Sequence, residues 1–572
     1  MEYSAILHDM DKRFCYAIDK DLFVIRVQVK KDDIKEIILH YEDKYIPLGW
    51  KDTRKTISMK KVATSQFHDY YEAQLQMHLI CLRYYFEFTD MQGEKVYYGN
   101  YEFSRECITN RDSMFDCPQN LREEEMFEVP EWAANKVVYQ IFPSRFAATE
   151  PVDKELWYKA PITPMDDLHG NLRGIIEHMD DIQNLGIDVL YMTPIFQSNS
   201  CHKYDTTDYY QIDPSFGTTE DLKELVQKAH ERGMKVVLDA VYNHTGREFF
   251  AFADILENGE KSKYRDWYFI DGFPLKSEWG EIPNFKCFGY YGGMPKLNLK
   301  NPEVEKYITD VACYWIKECD IDGWRLDVGD EISHFFWKNF RKAVKAVKKD
   351  MLIIGEIWHY AGDFLEGDEW DTVMNYPFYL NLIDLLADEK ITVSQFVQNL
   401  GYLKGRLHKN CYPLMWNLID SHDTARFLHL CNDNKKKQHL AAAFQLLLPG
   451  MPMIYYGDEY AMPGANDPDC RRGMYWDEEY QDKEMYEWYK RLIQVRKSHA
   501  CIVEGELAGS VTEDEEGTVV LIRKNGEETI AMIFNCSSSA KKFNEYTQKY
   551  NLLTENTFDG NVEGFDAAVI VL

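Results

Sequence analysis

One pattern of apolar and polar positions repeats through the middle of the chain, between about residues 131 and 495. Short apolar runs rich in β-branched residues alternate with stretches in which apolar residues recur every three or four positions. In one unit a helical stripe ends at Gly233 and is followed by the run KVVLDAV at 235–241. Thr218 with Asp221 is a typical helix start, and Gly233 is a typical helix end. The pattern predicts an amphipathic helix followed by a buried strand.

Apolar runs of this kind predict eight strands, at 137–142, 188–196, 235–241, 322–328, 351–358, 371–378, 412–420 and 452–459. Repeated strand–helix units force parallel pairing through crossovers, and eight of them close naturally into a barrel. We therefore predict an α/β fold, a (β/α)8 TIM barrel, over 126–495. The stretch from about 245 to 300 is too long for an ordinary loop, and we expect a small insertion domain there, after the third strand.

The two ends of the chain show a different pattern, in which apolar and polar positions alternate as in antiparallel strands. The run LFVIRVQVK (22–30) is an example, and we predict an N-terminal β-sandwich over 1–125. Near the other end, the dipeptide Asn525-Gly526 between two apolar runs is a strong signal for a type I′ hairpin. We predict a C-terminal β-sandwich over 496–572.

Composition and charge exclude several classes of partner. The chain has 572 residues, of which 45% are hydrophobic, enough for large packed cores. Its formal charge is −30, so we expect no nucleic-acid partner and no binding to anionic membranes. No apolar stretch approaches the ~18 residues that span a bilayer, and the N-terminus lacks the pattern of an export signal. Thirteen scattered cysteines fit unpaired thiols in a reducing compartment, so we expect a cytoplasmic protein.

Two charged residues interrupt the strand predicted at 322–328. Alternate residues of a strand face opposite sides, so Arg325 and Asp327 share one face while their apolar neighbours share the other. The outer face of a barrel packs on helices, so the charged pair points inward, at the C-terminal strand ends where barrel active sites lie. An aspartate beside an arginine is expected to stay ionised, with its pKa lowered.

Three other predicted strands carry polar residues at the same end. The runs LDAVYNH, IIGEIWH and NLIDSHDT place these residues there: Asp239, His244, Glu356, Trp358, His422 and Asp423. Glu356 lies in an otherwise apolar strand, and desolvation together with the Asp327 charge is expected to favour its protonated form. One carboxylate and one carboxylic acid are the pair that glycosidic cleavage needs, about 5–5.5 Å apart for retention and farther apart for inversion. The pattern leaves the spacing, and so the stereochemistry, open.

Together these motifs resemble the α-amylase superfamily of glycoside hydrolases. DAVYNH, GWRLDV, EIWH and LIDSHD occur in the family order, and the resemblance covers essentially the whole chain. It implies Asp327 as nucleophile, Glu356 as acid/base and Asp423 as the carboxylate that stabilises the transition state. It also implies that three further residues contact the sugar or these three carboxyls: His244, Arg325 and His422. Asp239 is implied to support Arg325.

Further segments resemble sugar-binding parts of the same family. HKYDTTDYY is similar to the segment whose tyrosine, here Tyr204, stacks on the sugar being cleaved. NDPDCRR is similar to the segment that supplies a carboxylate and an arginine, here Asp467 and Arg471. Packing in a core is the alternative to sugar stacking for large aromatics. With that alternative open, we expect sugar stacking by three aromatics near the motifs: Phe288, Trp358 and Tyr376.

The run MPKLN (294–298), GEIWH and the N-terminal β module resemble the neopullulanase, cyclomaltodextrinase and maltogenic amylase group. Members of this group cleave cyclodextrins, pullulan and short maltodextrins. Many pair as homodimers in which one subunit's N-terminal module, similar to a carbohydrate-binding module, covers the other subunit's cleft. The resemblance implies an oligosaccharide substrate, hydrolysis of α-1,4-glucosidic bonds with some transglycosylation, and a homodimer.

Two segments depart from the pattern of this group. After the nucleophile the group usually has Val-Ala-Asn-Glu, whereas this chain has VGDE, which changes the acceptor side through Gly329 and Asp330. After YQIFPSRF the group often carries an Asn/Asp-rich calcium loop, where this chain has AATEPVDKELW at 147–157. Few oxygen ligands remain there, which disfavours calcium without closing that alternative, and we expect no required cofactor.

Other functions remain open at this point. Some superfamily relatives are non-catalytic carbohydrate-binding proteins on the same scaffold, but this chain keeps all three carboxyls. An α-glucosidase or transglycosylase with another α-glucoside preference is a second alternative. A third is a metal-dependent barrel hydrolase, although the first predicted strand lacks the His-x-His pair usual in such barrels. Its ligands would be Asp239, His244, His422 and Asp423.

Overall fold

The structure is a computed structural model that describes residues 1–47, 54–76, 81–100, 102–117 and 126–572. These residues form two compact units. The first unit consists of Met1–Glu128, Tyr360–Asp368 and Ile391–Tyr412. The second consists of Val129–His359, Glu369–Lys390 and Pro413–Leu572. Within the described ranges, no helix combines the length and the apolar character needed to cross a bilayer.

In chain order, the strands of the described residues are β1 (Cys15–Ala17), β2 (Leu22–Lys30), β3 (Ile34–Asp43), β4 (Lys55–Ser58), β5 (Lys60–Thr64), β6 (His68–Gln76), β7 (Leu82–Asp90), β8 (Lys95–Gly99), β9 (Glu102–Ser104), β10 (Phe115–Cys117), β11 (Val138–Ile141), β12 (Val189–Met192), β13 (Phe196–Ser198), β14 (Thr206–Ile212), β15 (Lys235–Ala240), β16 (Gly323–Leu326), β17 (Leu352–Gly355), β18 (Thr372–Val373), β19 (Trp416–Asn417), β20 (Met451–Tyr455), β21 (Glu506–Glu513), β22 (Thr518–Asn525), β23 (Glu528–Asn535), β24 (Lys541–Lys542), β25 (Tyr550–Asn551), β26 (Asn556–Thr557), β27 (Asn561–Val562) and β28 (Asp566–Val571).

The α-helices are α1 (Pro143–Phe146), α2 (Lys154–Trp157), α3 (Leu172–Glu177), α4 (Met179–Leu185), α5 (Thr219–Glu231), α6 (Phe250–Asn258), α7 (Pro302–Cys319), α8 (His334–Val347), α9 (Tyr376–Leu382), α10 (Val393–Arg406), α11 (Phe427–Leu430), α12 (Lys435–Leu447), α13 (Lys483–Ser498) and α14 (Cys501–Glu504).

The first unit is a β-sandwich. Its strands pair antiparallel into one sheet of order β1-β2-β6-β5 and another of order β4-β3-β7-β8-β9, with β10 beside β7. Residues such as Ile25, Val27 and Phe86 are fully buried in one core that both sheets share. α10 lies against β5, and Gly401 permits this approach because a Cβ there would overlap the Thr64 carbonyl oxygen. The N-terminal sandwich predicted from the alternating pattern is confirmed.

The second unit is built on a closed ring of parallel strands. The strands pair in the order β18-β17-β16-β15-β12-β11-β20-β19, and a parallel bridge between Met374 and Trp416 joins the two ends. Chain order and spatial order therefore agree around the ring, as in a (β/α)8 barrel. Apolar side chains such as Val138, Val237 and Ile354 pack in its core. The predicted eight-stranded barrel is confirmed.

Several barrel strands are shorter than their predicted runs. In the run 371–378 only β18 is a strand, and Tyr376 already begins α9. In the run 452–459 the strand ends at Tyr455, and Asp458–Tyr460 forms a 3₁₀ turn. The segments that follow the strands are also buried, so the apolar pattern continues past the last strand residue. Apolar periodicity therefore locates these strands but not their C-terminal ends.

The stretch between β15 and α7 makes an excursion from the barrel. It contains α6 and several 3₁₀ turns, and it returns to the rim through an antiparallel bridge between His244 and Lys296. The hydroxyl oxygens of Thr245 and Tyr268 lie 2.9 Å apart. This stretch therefore stands beside the residues that directly follow β15.

The C-terminal part of the second unit is an antiparallel β domain. Its main sheet has the order β21-β22-β23-β28-β25-β26, and β24 pairs with β27. The hairpin turn differs from the predicted one, because Asn525 pairs with Glu528 and leaves Gly526 and Glu527 in the turn. Of these two residues only Gly526 has a positive φ, 60°, which is the type II′ pattern. The Asn-Gly dipeptide therefore predicted the hairpin but placed its turn one residue too early.

Candidate active site

A buried arginine lies at the centre of the candidate site. Arg325 extends from β16, is paired in register with Asp239 of β15, and has a fully buried side chain. Its guanidinium nitrogens lie near oxygens of four carboxyl groups: Asp239 (3.1 Å), Asp327 (2.9 Å), Glu356 (2.9 Å) and Asp423 (4.0 Å). One cation thus gathers carboxyls from four barrel strands and the loops that follow them.

Asp327 directly follows β16 at the C-terminal end of the barrel. Its backbone N–H donates to the Ala240 carbonyl (3.1 Å), so the pairing with β15 continues one residue past the strand. Its Oδ1 accepts a hydrogen bond from Nη1 of Arg325 (2.9 Å). Its Oδ2 is buried and has no hydrogen-bond partner among the described residues. Asp327 therefore has one oxygen that is held in place and one that is available to react.

Glu356 directly follows β17, the next strand around the barrel. Its Oε2 accepts the backbone N–H of Val328 (2.9 Å) and lies 2.9 Å from Nη2 of Arg325. Its Oε1 accepts the indole N–H of Trp358 (3.2 Å). Because Val328 is the residue after Asp327, the two carboxyls are connected through the backbone as well as through the shared guanidinium.

Asp423 has the most accessible side chain of the four carboxyls, at 30% exposure. Its carboxylate lies 3.2 Å from Nε2 of His422 and 3.4 Å from Nη2 of Arg471. Arg471 also donates to the His422 carbonyl (2.8 Å) and pairs with Asp467 (2.9 Å). Asp467 and Arg471 therefore lie on the same rim as Asp423.

A chain of hydrogen bonds connects Asp239 with His422. The Tyr204 hydroxyl donates to Oδ2 of Asp239 (3.0 Å) and lies 2.5 Å from Nε2 of His422. The Tyr191 hydroxyl donates to the same Asp239 oxygen (2.7 Å), and the Gln140 amide nitrogen lies 2.8 Å from Nδ1 of His422. Tyr191 and Gln140 were not predicted as site residues. Each is a polar group within a buried barrel strand, which is the signal that identifies them.

Two stacked ring pairs flank the carboxyls. Trp358 stacks on Tyr376 with ring centroids 3.9 Å apart; Trp358 is 41% exposed, whereas Tyr376 is fully buried. Phe288 stacks on His244 at 5.2 Å and is 37% exposed. Trp358 and Phe288 can therefore present a ring to a sugar. The stacking expected for Tyr376 is wrong, because its ring is covered and supports Trp358 instead.

The remaining contact joins His244 to the rest of the site, since its Nε2 lies 3.1 Å from the Tyr204 carbonyl oxygen. Every site residue proposed from the sequence therefore belongs to one connected set of contacts. Asp239, Arg325 and His422 are buried, so they contact the carboxyls or their supporting side chains and do not form the exposed surface of the site.

Burial dominates the ionisation of Asp239 and Asp327. It raises the pKa of Asp327 well above its ordinary value; Arg325 opposes this shift, and the Glu356 and Asp239 carboxyls reinforce it. Burial also raises the pKa of Asp239 to about 6. The expected lowering of the Asp327 pKa is therefore wrong. For Asp239 and Asp327, a guanidinium shared with other carboxyls does not offset removal from water.

Both histidines of the site are held neutral. Burial lowers the pKa of His422 well below its ordinary value, with Arg471 and Arg325 adding to the effect, and it lowers the pKa of His244 to about 4. A neutral imidazole carries one N–H. With the Gln140 amide donating to Nδ1, the His422 proton is on Nε2, which faces Tyr204.

The metal-dependent alternative has no support in this arrangement. Both ring nitrogens of His422 are engaged by protein groups, and Asp239 is bound by tyrosine hydroxyls and Arg325. Across the described ranges, no group of three or more His, Cys, Asp or Glu residues is placed to hold a metal ion.

Comparison with known protein families agrees with this geometry. The family described as "Alpha amylase, catalytic domain" matches residues 140–480, which is more than half of the chain. The chain belongs to the α-amylase family. A second description, "Alpha amylase, N-terminal ig-like domain", matches residues 1–119.

Several members of the α-amylase family resemble this chain over nearly its whole length. A cyclomaltodextrinase from Geobacillus thermopakistaniensis is 42% identical over 547 residues, covering 94% of this chain and 92% of the relative. Neopullulanase 2 from Thermoactinomyces vulgaris is 39% identical over 541 residues, covering 94% and 91%. A solved cyclomaltodextrinase structure, 36% identical, superposes with a TM-score of 0.94 and covers 100% of both chains.

The raised carboxyl pKa values of this α-amylase-family site predict an acid limit of activity near pH 6. A carboxyl with a raised pKa takes up its proton at a higher pH. The Asp239 carboxylate, which pairs with the Arg325 guanidinium that holds Asp327 and Glu356, is therefore lost as the pH falls through about 6. Below this limit we expect kcat/KM to fall about tenfold per pH unit. Initial rates between about pH 4 and about pH 8 measure the limit. Full activity two pH units below the predicted limit would contradict the assignment.

Proposed function

We propose that this protein is a retaining hydrolase that cleaves α-1,4-glucosidic bonds in cyclodextrins, pullulan and short maltodextrins. The main support is the guanidinium that the two carboxyls share. Nη1 of Arg325 lies 2.9 Å from an oxygen of Asp327, and Nη2 lies 2.9 Å from an oxygen of Glu356. Carboxyls held by adjacent nitrogens of one group are suited to the short separation of a retaining enzyme. Similarity to a cyclomaltodextrinase and a neopullulanase supports the substrate class.

In the first step of the proposed reaction, Asp327 attacks the anomeric carbon. Its Oδ2 is the attacking atom, while Oδ1 keeps the hydrogen bond from Arg325. Glu356 gives its proton to the glycosidic oxygen as the bond between that oxygen and the anomeric carbon breaks. The products are a glycosyl ester on Asp327 and a released sugar with a new hydroxyl.

In the second step, a water molecule enters where the leaving sugar was. Glu356, now a carboxylate, takes a proton from the water as the water oxygen attacks the anomeric carbon and the ester bond to Asp327 breaks. The hydrogen bonds from Val328 N–H and the Trp358 indole stabilise this carboxylate form. A sugar hydroxyl in place of water gives transglycosylation, so the acceptor side of the site decides between the two products.

Asp423 is assigned to the transition state. Positive charge develops on the sugar ring in an oxocarbenium-like transition state, and an accessible carboxylate beside the ring stabilises it. Arg471 and His422 hold Asp423 in place. Tyr204, whose ring is parallel to that of His422 at 5.6 Å, is assigned to stacking on the sugar being cleaved. Trp358 and Phe288 are assigned to neighbouring sugar units.

We propose that the reaction requires neither calcium nor an organic cofactor. In the segment 147–157, Asp153 caps α2 by accepting the backbone N–H of Glu155. Nearby, both oxygens of Asp166 lie within 2.8 Å of the Lys159 ammonium, which supplies the positive charge that a cation would bring. These side chains do not fit the dense set of oxygen ligands that calcium prefers.

We further propose a cytoplasmic homodimer formed through the N-terminal module. Similarity to the cyclomaltodextrinase group supports the dimer, because it includes the N-terminal module as well as the barrel. Thirteen scattered cysteines support a reducing compartment.

Substrate preference and the role of Glu356 as acid can be tested together. We expect the protein to open β-cyclodextrin and cleave pullulan faster than it degrades starch, because its relatives of similar sequence bear the names of enzymes for such substrates.

Glu356→Gln keeps the size of the side chain but cannot donate a proton, so kcat should fall about 10²–10⁴-fold. Chromatographic product profiles on β-cyclodextrin, pullulan, starch and maltotriose measure both effects.

The matched control is Glu318→Gln. Glu318 lies on α7 and pairs with Lys223 at 3.0 Å, away from the carboxyl cluster, so this variant should retain wild-type activity. Unchanged hydrolysis by Glu356→Gln would favour the non-catalytic alternative or another acid. Faster degradation of starch than of β-cyclodextrin would overturn the proposed substrate preference.

Removal of divalent cations should leave both activity and thermal unfolding unchanged. The physical reason is that two aspartates in and just after the segment 147–157 already have protein partners, since Asp153 caps α2 and Lys159 neutralises Asp166. Assays after dialysis against a strong chelator, with and without added calcium, measure the effect. A loss of activity that calcium restores would refute this proposal.

The proposed homodimer should have a mass in solution near twice the 67.4 kDa of one chain. Sedimentation equilibrium at the protein concentration of the assays measures this mass. A single-chain mass under those conditions would reject the dimer without affecting the catalytic proposal.

A further inference from the structure

Trp370 is fully buried and contacts both loops that carry the proposed catalytic carboxyls. It lies shortly before β18, the strand next to β17 in the barrel. Its indole lies against Gly355, the residue before Glu356, and against Gly329, two residues after Asp327. One side chain therefore packs on the backbone next to both carboxyls.

Gly355 has no space for a side chain. It is the last residue of β17, and a Cβ there would overlap the six-membered ring of Trp370, with the Cδ2 atom at 2.6 Å and other ring atoms nearer still. The indole therefore packs directly on the backbone that leads into Glu356.

Gly329 has little space for a side chain either. A Cβ there would lie 2.8 Å from Cζ2 and 3.1 Å from Cη2 of Trp370, and 3.5 Å from the Glu356 carbonyl oxygen. Gly329 has no positive φ, so this glycine is required for space and not for an unusual backbone conformation. The alanine usual in the group at this position would press on the indole, which gives a physical reason for the sequence VGDE.

The residue between Asp327 and Gly329 is strained. Val328 has φ 47° and ψ 44°, a left-handed conformation that β-branched residues rarely adopt. Strain of this kind persists only where the surroundings hold it. The Val328 N–H donates to Glu356, and the Trp337 indole N–H donates to the Gly329 carbonyl (2.9 Å). The turn after the proposed nucleophile is therefore fixed from both sides.

We propose that Trp370, packed on Gly329 and Gly355, is a positioning residue that fixes the separation of Asp327 and Glu356. This role rests on the proposed retaining mechanism, in which the separation decides whether one carboxyl can attack while the other donates a proton. Trp370 acts through the backbone of the two loops. A methyl group on Gly329 moves the indole or the loops, and so misplaces the carboxyls without removing any reacting atom.

The test is Gly329→Ala, assayed on β-cyclodextrin and on α-maltosyl fluoride. A small displacement of reacting groups strongly lowers the rate, so kcat on β-cyclodextrin should fall at least about tenfold with KM changed less than about threefold. Fluoride leaves without a proton from Glu356, and kcat/KM reports the first step alone, so the loss of kcat/KM on the fluoride should be smaller. The ratio of kcat/KM on β-cyclodextrin to kcat/KM on the fluoride should therefore fall at least about threefold, whereas simple partial unfolding lowers both values equally.

Adding a second substitution to Gly329→Ala tests whether its loss of activity comes from misplaced carboxyls or from a general loss of stability. Trp370→Phe removes the ring atoms Cζ2 and Cη2 that a Cβ at Gly329 would meet. The double variant should regain at least about threefold in kcat over Gly329→Ala, as expected for residues in direct contact. If Gly329→Ala does not fold, Trp370→Phe alone provides the same test, because its smaller ring loosens both loops and should lower the same ratio of kcat/KM values.

Gly272→Ala is the matched control, since a Cβ there would have no atom within 4 Å. It should behave as wild type. The proposal is overturned if the single variants keep the wild-type ratio of kcat/KM values, or if the double variant shows no recovery. A wild-type protein inactive on both substrates would instead reject the proposed function, so the two failures are distinguishable.

Discussion

The buried guanidinium of Arg325 is the interaction on which the rest of the site depends. Two unit charges 4 Å apart attract by about 4 kcal/mol at an effective dielectric of about 20, and Arg325 has four carboxyls at or within this distance. Removing one partner of a buried ion pair typically costs about 3–5 kcal/mol, because the other charge is left unpaired and without water. The closed ring of strands is what makes this arrangement attainable. Parallel strands end at one face, so residues far apart in the chain meet around one cation.

Inward-facing side chains follow each other every two residues along a barrel strand, and the site begins where they change from apolar to polar. In β15, Val237 belongs to the apolar core of the barrel, and Asp239 lies one layer nearer the mouth on the same face. In β12, Val189 and Tyr191 show the same change from apolar to polar, and Gln140 follows Val138 in β11. Apolar packing therefore fills the bottom of the barrel, and a polar layer of hydrogen-bonded groups forms the floor beneath the carboxyls.

Local signals in the sequence predicted those parts of the structure that depend on neighbouring residues. Thr218 and Asp221 form the reciprocal capping box at the start of α5, where the sequence indicated a helix start. The charges of Arg325 and Asp327 in an apolar run located the site, because the C-terminal strand ends of a barrel are where active sites lie. The strand ends, the turn at Gly526 and the packing of Trp370 on Gly329 were not predictable in the same way. They depend on burial and on partners that lie far away in the sequence.

The predicted lowering of the Asp327 pKa was wrong for the same reason, since it too depends on distant partners. The raised pKa affects the proposed reaction. From the sequence, one arginine beside one aspartate is a balanced pair, but the fold places four carboxyls around that arginine and buries Asp239, Asp327 and Glu356. Such a cluster holds protons to a higher pH than isolated carboxyls do, and its apparent pKa values belong to the set of groups rather than to one of them. A neutral sugar brings no charge to compensate the excess of carboxyls. A proton retained by the cluster is therefore the natural source of the acid that cleavage requires. The excess of carboxyls over cations weakens the nucleophile, but it also supplies the proton for the leaving group.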